Sequence, residues 1–352
     1  VFPVVLSILV ITCPCALSLA TPVAIAASTA SLISKGMLIT KAHIIEGLSQ
    51  VSHIVFDKTG TLTRGIFSIN KVYINNKKYK NIFNIIANLE LKVEHPISNS
   101  FYTKKKIISK IDSFKYIPNK GIEGIINNKY FRIGKYSFVS NMWKKRFFIK
   151  KTNISDWILF GSQDEPLAMF KLNDTLRKTA KKTIKILDLL NINIHLLTGD
   201  NNSSANKISK ELGIKNINFN YSIEEKMNYI KKLQKKNKVV LMVGDGINDT
   251  LALGVSQVSI SMGEGTNLAK IASDAVLLNN NLNMIPTTII HSYKTKKIII
   301  QNITWSLLYN ILVLPLSVFG YIAPYFAVLG MSFSSLLVLI NSLRLYKIMK
   351  IK

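Results

Sequence analysis

Apolar residues concentrate at the two ends of the chain, and the middle alternates between short apolar runs and polar, lysine-rich segments. The N-terminal run, residues 1–38, and two later runs, residues 298–320 and 324–345, are each long enough to cross a hydrocarbon core, which takes about 20 apolar residues. We therefore predict a transmembrane helix in each run, with a large polar region between the first helix and the second.

Basic residues flank these runs at one end only. Lys35 and Lys41 follow the first run, and Lys294 precedes the second. Arg344 follows the third run, whereas the turn YIAP between the second and third runs carries no charge. By the positive-inside rule the charged ends face the cytoplasm. The sequence thus predicts a multi-pass protein of the cytoplasmic membrane whose polar region lies in the cytoplasm.

Short runs of consecutive apolar residues in the polar region each end in a polar loop, and lysine-rich helical segments separate several of them. These runs are HIVFD (53–57), INIHLLTGD (192–200), KVVLMVGDG (238–246) and QVSISMG (257–263). The alternation is typical of a doubly wound α/β domain with a buried parallel sheet, whose ligands bind at the carboxyl ends of the strands. We assign residues 39–66 and 170–285 to this domain and residues 67–169 to an inserted α+β domain.

The formal net charge of +27 changes this picture little. A strongly basic chain can indicate nucleic-acid binding. Here the excess is scattered lysine, and no basic motif is interleaved with aromatic residues. We therefore predict a solvated basic surface and no nucleic-acid partner.

The chain has two cysteines, Cys13 and Cys15, which flank Pro14 inside the first apolar run. A disulfide between residues i and i+2 around a proline needs unusual geometry, so we expect no bridge between them. Pro14 removes a backbone hydrogen bond and opens the helix, which membranes tolerate where protein or a cavity covers the break. Broken helices of this kind are typical of transporter binding sites.

Carboxylates, a hydroxyl and a lysine fall at strand or helix ends in an order that suits phosphoryl transfer. Asp57, in DKTGTLT, ends the first strand, where its carboxylate can act as a nucleophile. Thr198, in TGD, and Lys226 are predicted to hold phosphoryl oxygens. Asp245 and Asp249, in GDGIND, are predicted to hold Mg²⁺. Each alone could be a turn or capping residue, but the ordered set favours a site.

Thr59 lies two residues after the predicted nucleophile. Related aspartate-nucleophile phosphatases carry a second Asp at this position, which acts as a general acid for rapid turnover. A threonine there predicts a longer-lived aspartyl phosphate, which suits coupling to a conformational cycle.

The motifs DKTGTLT, TGD and GDGIND, in this order, resemble those of the P-type ATPases, and the CPC of the first apolar run is similar to their heavy-metal-transporting branch. The resemblance implies a HAD-like phosphorylation domain with an inserted nucleotide-binding domain, ATP and Mg²⁺ as cofactors, and phosphorylation of Asp57. It adds Lys58, Gly199 and Asp200 to the catalytic residues. It also places Asp57 and Thr59 among the Mg²⁺ ligands.

In the inserted domain the resemblance implies a nucleotide site built from the EHP and GIEG motifs. Its predicted ATP contacts are Glu94, His95, Gly121 and Gly124. The chain departs from the family pattern at six positions: Val93, Asn119, Lys135, Ile223, Thr250 and Leu251. These departures bear on nucleotide affinity and hinge geometry, and they leave the phosphoryl-transfer residues intact.

Polar residues inside membrane spans suggest function, although each alone can also serve helix packing. Six such residues are predicted to bind copper: Cys13, Cys15, Tyr309, Asn310, Met331 and Ser335. The set offers thiolate, thioether, amide and hydroxyl ligands without a carboxylate or imidazole, which favours soft Cu(I) over Mg²⁺ or Ca²⁺. It is also similar to that of the copper(I)-transporting subgroup. Cu(I) is therefore the predicted substrate, with Ag(I) as a chemically close alternative.

The YIAP turn, the run LGMSFSSLLVLINSLRL and the run ASDAVLL resemble the copper pumps associated with cytochrome oxidase assembly. The chain contains no TGE, the actuator motif of the family. We favour the C-terminal half of an ATP-driven Cu(I) exporter, either truncated or completed by a separate N-terminal half. A separate N-terminal half or a copper chaperone is the expected protein partner. The alternatives are a membrane-tethered HAD-type phosphotransferase or phosphatase without transport, and a decaying gene remnant.

Overall fold

The computed structural model describes residues 2–75, 82–90, 92, 97–101, 111–117, 120–143, 157–200 and 202–347. Its helices are α1 (Phe2–Ile11), α2 (Cys15–Ile33), α3 (Ile44–Leu48), α4 (Ile82–Glu90), α5 (Tyr136–Ser140), α6 (Ala180–Leu189), α7 (Asn202–Leu212), α8 (Ile223–Gln234), α9 (Thr250–Val255), α10 (Asn267–Ala272), α11 (Met284–Val318) and α12 (Pro324–Lys347). Its strands are β1 (Met37–Ile39), β2 (His53–Asp57), β3 (Thr63–Ile74), β4 (Ile111–Ile117), β5 (Gly121–Ile126), β6 (Lys129–Gly134), β7 (Ile158–Ser162), β8 (Pro166–Leu176), β9 (Asn193–Leu197), β10 (Asn216–Asn218), β11 (Val240–Gly244), β12 (Val258–Met262) and β13 (Ala275–Leu277).

Within the described residues, seven strands form one sheet in the order β1-β13-β12-β11-β2-β9-β10. All neighbouring pairs are parallel except β1 and β13, which are antiparallel. Successive residues of β2 face opposite cores, since Ile54 and Phe56 pack on one side of the sheet and Val55 on the other. The predicted doubly wound α/β fold is therefore confirmed.

The second sheet of the described chain is antiparallel, with strands in the order β3-β8-β7-β6-β5-β4. Helix α4 packs on this sheet, and their shared core contains aromatic side chains such as Phe131, Phe160 and Phe170. Strands β3 and β8 pass through residues 66 and 170, where we placed domain limits, and the division into domains stays a prediction. Both strands lead directly to and from the loops beside Asp57.

Three stretches of the described chain are long and apolar enough to cross a membrane: Phe2–Ile33, Met284–Val318 and Pro324–Tyr346. The first consists of α1 and α2, which are separated at Thr12–Pro14. Helices α11 and α12 contact each other, and each of them contacts both α1 and α2. The predicted helix break at Pro14 is confirmed.

A short segment after α2 joins the N-terminal apolar helices to the edge of the seven-stranded sheet. The Leu278 N–H donates to the Gly36 carbonyl at 2.8 Å, and the Thr40 N–H donates to the Asp274 carbonyl at 3.0 Å. Lys41 Nζ lies 2.8 Å from Asp274 Oδ1. Asp274 is buried and also accepts hydrogen bonds from the backbone N–H and hydroxyl of Ser259, on β12. Helix α2 is thus tied to two strands of the sheet.

Candidate functional site

Asp57 ends β2, which lies between β11 and β9 in the sheet, and its side chain is buried. Lys226 Nζ donates to Asp57 Oδ1 at 2.5 Å and to Asp249 Oδ1 at 2.8 Å. Lys226 reaches these carboxylates from the first turns of α8, where Ser222 and Glu225 form a reciprocal capping box. Burial alone would lower the pKa of Lys226, but the charges of Asp57 and Asp249 raise it above its usual value.

Asp57, Asp245 and Asp249 converge, with one carboxylate oxygen of each lying within 4.8 Å of the others. Burial and the negative charge of Asp249 raise the pKa of Asp57 to about 7, against the opposing effect of Lys226. Burial and Asp249 also raise the pKa of Asp245 to about 7. Crowded carboxylates of this kind favour a hard divalent cation, which takes oxygen ligands and neutralises their repulsion. The donor set therefore fits Mg²⁺.

Gly60 shows why the turn after Asp57 contains a glycine. Its φ is +72°, and a Cβ added there would lie 1.5 Å from Asp245 Oδ2. A side chain at residue 60 would therefore displace a predicted magnesium ligand. Gly244 is similarly constrained, because its added Cβ would lie 2.8 Å from the Cβ of Asp249.

The TGD motif directly follows the neighbouring strand β9, at the same edge of the sheet. Thr198 directly follows β9, and its buried hydroxyl accepts the Asp200 N–H at 3.1 Å. Lys58, which is also buried, pairs with the Asp200 carboxylate. A Cβ added to Gly199 would lie 3.4 Å from the Tyr221 carbonyl oxygen, so this loop packs closely on the segment before α8.

The structure thus brings the predicted residues of the α/β domain together at the carboxyl ends of β2, β9 and β11. They are Asp57, Lys58, Thr59, Thr198, Gly199, Asp200, Lys226, Asp245 and Asp249. Thr59 lies in the same turn as Gly60, in an extended conformation with φ −77° and ψ 130°. The chemical role of each residue stays a prediction.

Two residues that the sequence analysis did not single out hold the loop that carries Asp57. The Arg177 guanidinium donates to the Gly60 carbonyl at 2.8 Å and to the Thr61 carbonyl at 3.0 Å. Asp174 accepts the Thr63 hydroxyl at 2.5 Å and the Gly65 N–H at 3.1 Å. The signal available in the sequence was DTLR (174–177), an acid and a base placed where an apolar strand ends.

The predicted nucleotide site is described in part. Glu94 and His95 lie outside the described residues. Gly121 and Gly124 lie on β5, and a Cβ added to Gly124 would lie 2.6 Å from Leu89 Cδ2 at the end of α4. The next residue, Glu90, was missed in the sequence. Its buried carboxylate accepts the Ser98 hydroxyl at 2.7 Å, and burial raises its pKa.

Cys13 and Cys15 lie on either side of the helix break, with their Cα atoms 5.5 Å apart and their sulfurs within bonding distance. The expectation that no bridge would form between them is therefore wrong. Its physical reason is the break itself, because α1 ends at Ile11 and Pro14, with φ −80° and ψ 32°, precedes α2. In a continuous helix, side chains two residues apart diverge. Here both point to the same side.

The other predicted copper ligands lie on the two C-terminal helices. Tyr309 is on α11, and its hydroxyl oxygen would lie 2.6 Å from a Cβ added to Gly330, the residue before Met331 on α12. The Ser335 hydroxyl donates to the Met331 carbonyl at 3.1 Å. Asn310 is half-buried on α11. The six residues thus lie on, or directly before, three helices that pack against one another.

Comparison with known proteins agrees with this geometry. Residues 51–255, more than half of the chain, match the haloacid dehalogenase-like hydrolase family. The chain is 35% identical to the probable copper-importing P-type ATPase A of Enterococcus hirae, over 96% of this chain and 48% of the relative. It is also 35% identical to the copper-exporting P-type ATPase of Staphylococcus aureus strain USA300, over 97% of this chain and 44% of the relative. The chain therefore spans about half the length of these relatives.

Solved structures give the same result. A zinc-transporting PIB-type ATPase in the E2.Pi state superposes with a TM-score of 0.74 and 29% identity, over 96% of this chain and 56% of that one. The catalytic domain of the CPx-ATPase CopB-B superposes with a TM-score of 0.61 and 29% identity, over 74% of this chain and 98% of that one. The predicted resemblance to the P-type ATPases is confirmed: the chain is a homologue of copper-exporting P-type ATPases and belongs to the haloacid dehalogenase-like hydrolase family.

Proposed function

We propose that this chain is the C-terminal half of an ATP-driven pump that exports Cu(I) across the cytoplasmic membrane and is phosphorylated on Asp57. The observation that carries the proposal is the convergence of Asp57, Lys226, Asp245 and Asp249 at one edge of the sheet. The same chain carries a cysteine pair at a helix break among helices apolar enough to cross a membrane. A phosphatase without transport would not need that pair.

In the proposed reaction, the Asp57 carboxylate attacks the γ-phosphorus of ATP, a new bond forms between Oδ and phosphorus, and the bond to the β-phosphate oxygen breaks as ADP leaves. Lys226 binds Oδ1, which leaves Oδ2 free to attack. We expect the Thr198 hydroxyl, which follows the neighbouring strand, to donate to a phosphoryl oxygen. Asp57, Asp245, Asp249 and Thr59 would hold Mg²⁺, which would neutralise phosphate charge.

The inserted domain supplies the nucleotide in this proposal. We propose that the adenosine part of ATP binds beside Gly121 and Gly124 on β5, and that Glu94 and His95 complete the site. We add Glu90 to these residues, because its buried carboxylate lies beside the α4–β5 contact at Gly124. Lys58 and Asp200 pair with each other at the edge where this nucleotide must present its γ-phosphate.

Copper in this proposal binds the reduced cysteines as thiolates, together with Tyr309, Asn310, Met331 and Ser335. Ag(I) is expected to bind the same soft donors. The remaining half of the pump would supply the actuator loop, and a copper chaperone would deliver the ion. We also propose a role in cytochrome oxidase assembly, because the YIAP turn and the ASDAVLL run resemble those of the copper pumps associated with that process. We propose export as the direction of transport because the S. aureus relative is a copper-exporting P-type ATPase.

Phosphorylation is tested with radiolabelled ATP on the full chain in detergent. We expect an acid-stable, hydroxylamine-sensitive label that is lost in Asp57→Asn. Asp188→Asn is the matched control, because Asp188 is exposed on α6 and should leave the label intact. A wild-type chain without Asp57-dependent label would contradict the proposed function.

Copper binding is tested separately, under reducing conditions. The double variant Cys13→Ser with Cys15→Ser should lose its tightly bound Cu(I), measured by elemental analysis after desalting, because serine hydroxyls are hard donors. Ser18→Ala, one turn further along α2, keeps both thiols and should retain the ion. Equal copper content in the double variant and the wild type would exclude the cysteine pair as the site.

A further inference from the structure

His195 lies behind the candidate site, inside the sheet. It is on β9, three residues before Thr198, and its register partner on β2 is Val55, two residues before Asp57. His195 is 6% exposed, and its ring stacks on His53 at 5.4 Å between centroids. Val55 and Leu197 belong to the core that packs against α8, so this face of the sheet meets the helix that carries Lys226.

His195 makes a specific contact with that helix. Its Nδ1 lies 2.9 Å from the hydroxyl oxygen of Tyr229, and the two rings meet edge to face at 5.7 Å. Tyr229 lies three residues after Lys226, so the two side chains project from neighbouring turns on the same side of α8. Among the described residues, Nε2 of His195 has no hydrogen-bond partner. The Tyr229 hydroxyl is therefore the partner of this buried ring there.

The hydrogen bond between His195 and Tyr229 restrains α8 on the sheet. Burial and the nearby charge of His53 lower the pKa of His195 to about 4, so the ring is neutral at cytoplasmic pH. Breaking the hydrogen bond would leave a buried imidazole without a partner, which is costly. The link therefore resists rotation of α8 on the sheet. Lys226 needs that restraint, because its Nζ must reach Asp57 and Asp249 at 2.5 and 2.8 Å.

We propose that His195 and Tyr229 are positioning residues: their hydrogen bond fixes α8 on β9 and so holds Lys226 against Asp57 for phosphoryl transfer. The proposal rests on the proposed phosphorylation of Asp57. The His195–Tyr229 hydrogen bond would thus help to set the phosphorylation rate, although neither residue contacts the nucleotide or the reacting atoms.

The test is single-turnover phosphorylation of the full chain at saturating ATP, which separates the rate constant from the fraction of chains labelled. Tyr229→Phe should lower the rate constant on the order of tenfold, because small misplacements of a catalytic group are costly in rate. The labelled fraction and the ATP concentration for half-maximal rate should stay unchanged. Tyr221→Phe is the matched control, since its ring also packs on Tyr229 but its hydroxyl has no hydrogen bond in the described chain.

Further variants separate positioning from a merely structural role. His195→Asn places an amide oxygen near the position of Nδ1 and should retain most of the rate, whereas His195→Leu should lose it. In a Lys226→Ala background, Tyr229→Phe should have no further effect, because the link acts through Lys226. A lower labelled fraction with an unchanged rate constant in Tyr229→Phe would overturn the proposal, as would an equal further loss in the Lys226→Ala background. An unlabelled wild type would instead refute the proposed function.

Discussion

Gly60 is the residue at which the backbone and the predicted magnesium site constrain each other most directly. Its φ of +72° disfavours any other residue, and an added Cβ would lie 1.5 Å from Asp245 Oδ2. We predict that Gly60→Ala moves Asp245 away and lowers the Mg²⁺-dependent phosphorylation rate about 100-fold, by analogy with the loss of an electrostatic donor. Phosphorylation measured as a function of Mg²⁺ concentration checks this.

Gly254→Ala is the control for that prediction. Gly254 is exposed on α9, its φ is ordinary, and nothing lies within 4 Å of an added Cβ. Alanine there should leave the rate unchanged and raise stability by about 0.5–1 kcal/mol through helix propensity. Equal rates for Gly60→Ala and the wild type would show that the turn can yield without moving Asp245.

His195 also makes the stability of the chain depend on pH. Its folded pKa is about 4, against 6.5 for the ordinary group. Between these values the unfolded chain takes up a proton that the folded chain does not, so stability present above pH 6.5 is lost as pH falls toward 4. The shift corresponds to about 3 kcal/mol. His195→Asn should flatten this dependence in denaturant titrations between pH 7 and pH 4, and an unchanged slope would contradict it.

Among the secondary-structure elements, strand β8 positions the loop that follows the predicted nucleophile, Asp57. Arg177, just after β8, has a side chain that is 9% exposed, and it donates to the carbonyls of Gly60 and Thr61. Arg177→Gln would leave these carbonyls without a charged donor, at a cost of about 1.5–3 kcal/mol. We predict a phosphorylation rate lower by about tenfold or more, measured at saturating ATP. Lys178→Gln is the control, because Lys178 is exposed. A rate equal to that of Lys178→Gln would show that Asp174 alone holds the loop.

The sequence was sufficient to predict the elements with a strong local signal. Strands β2, β9, β11 and β12 are runs of consecutive apolar residues that end in acidic or glycine-containing loops. The hydrophobic pattern therefore predicted both their positions and the edge of the sheet that carries Asp57. Strands β1, β10 and β13 have three residues each, too few for a period to appear. β10 and β13 pair with the longer strands β9 and β12, and β1 pairs with β13, so these short strands depend on the sheet that the longer strands form.

The contacts that were missed depend on the tertiary fold. Arg177 and Gly60 are far apart in the sequence, and only the return of β8 from the second sheet brings them together. The helix break at Pro14 was predicted, but the sequence does not show how closely the break brings the two cysteine side chains together, so the bridge between them was missed. The turns were not predicted either, because at several of them asparagine rather than glycine takes the left-handed conformation, including Asn191, Asn220 and Asn237.

For the whole molecule, the proposed function requires that copper binding at Cys13 and Cys15 influence phosphorylation at Asp57. The direct covalent path runs along α2 into the segment held on β13 by Gly36, Thr40 and Lys41. Asp274 then connects this segment to β12, which pairs with β11, the strand that leads to Asp245. The Lys41–Asp274 ion pair is a point at which this path can be weakened without touching either site.

We therefore predict that Lys41→Gln weakens the stimulation of phosphorylation by Cu(I) while leaving copper content unchanged. Lys41 is half-exposed, so solvent screening limits the pair to about 1 kcal/mol, which corresponds to roughly a fivefold loss of stimulation. Lys296→Gln is the matched control, because Lys296 is an exposed lysine near the same membrane boundary. Parallel assays of copper content and of labelled chain with and without Cu(I) decide the matter. If Lys41→Gln and Lys296→Gln respond equally to Cu(I), the segment after α2 does not carry the coupling, and the contacts of α11 with α3 and α6 become the path to test.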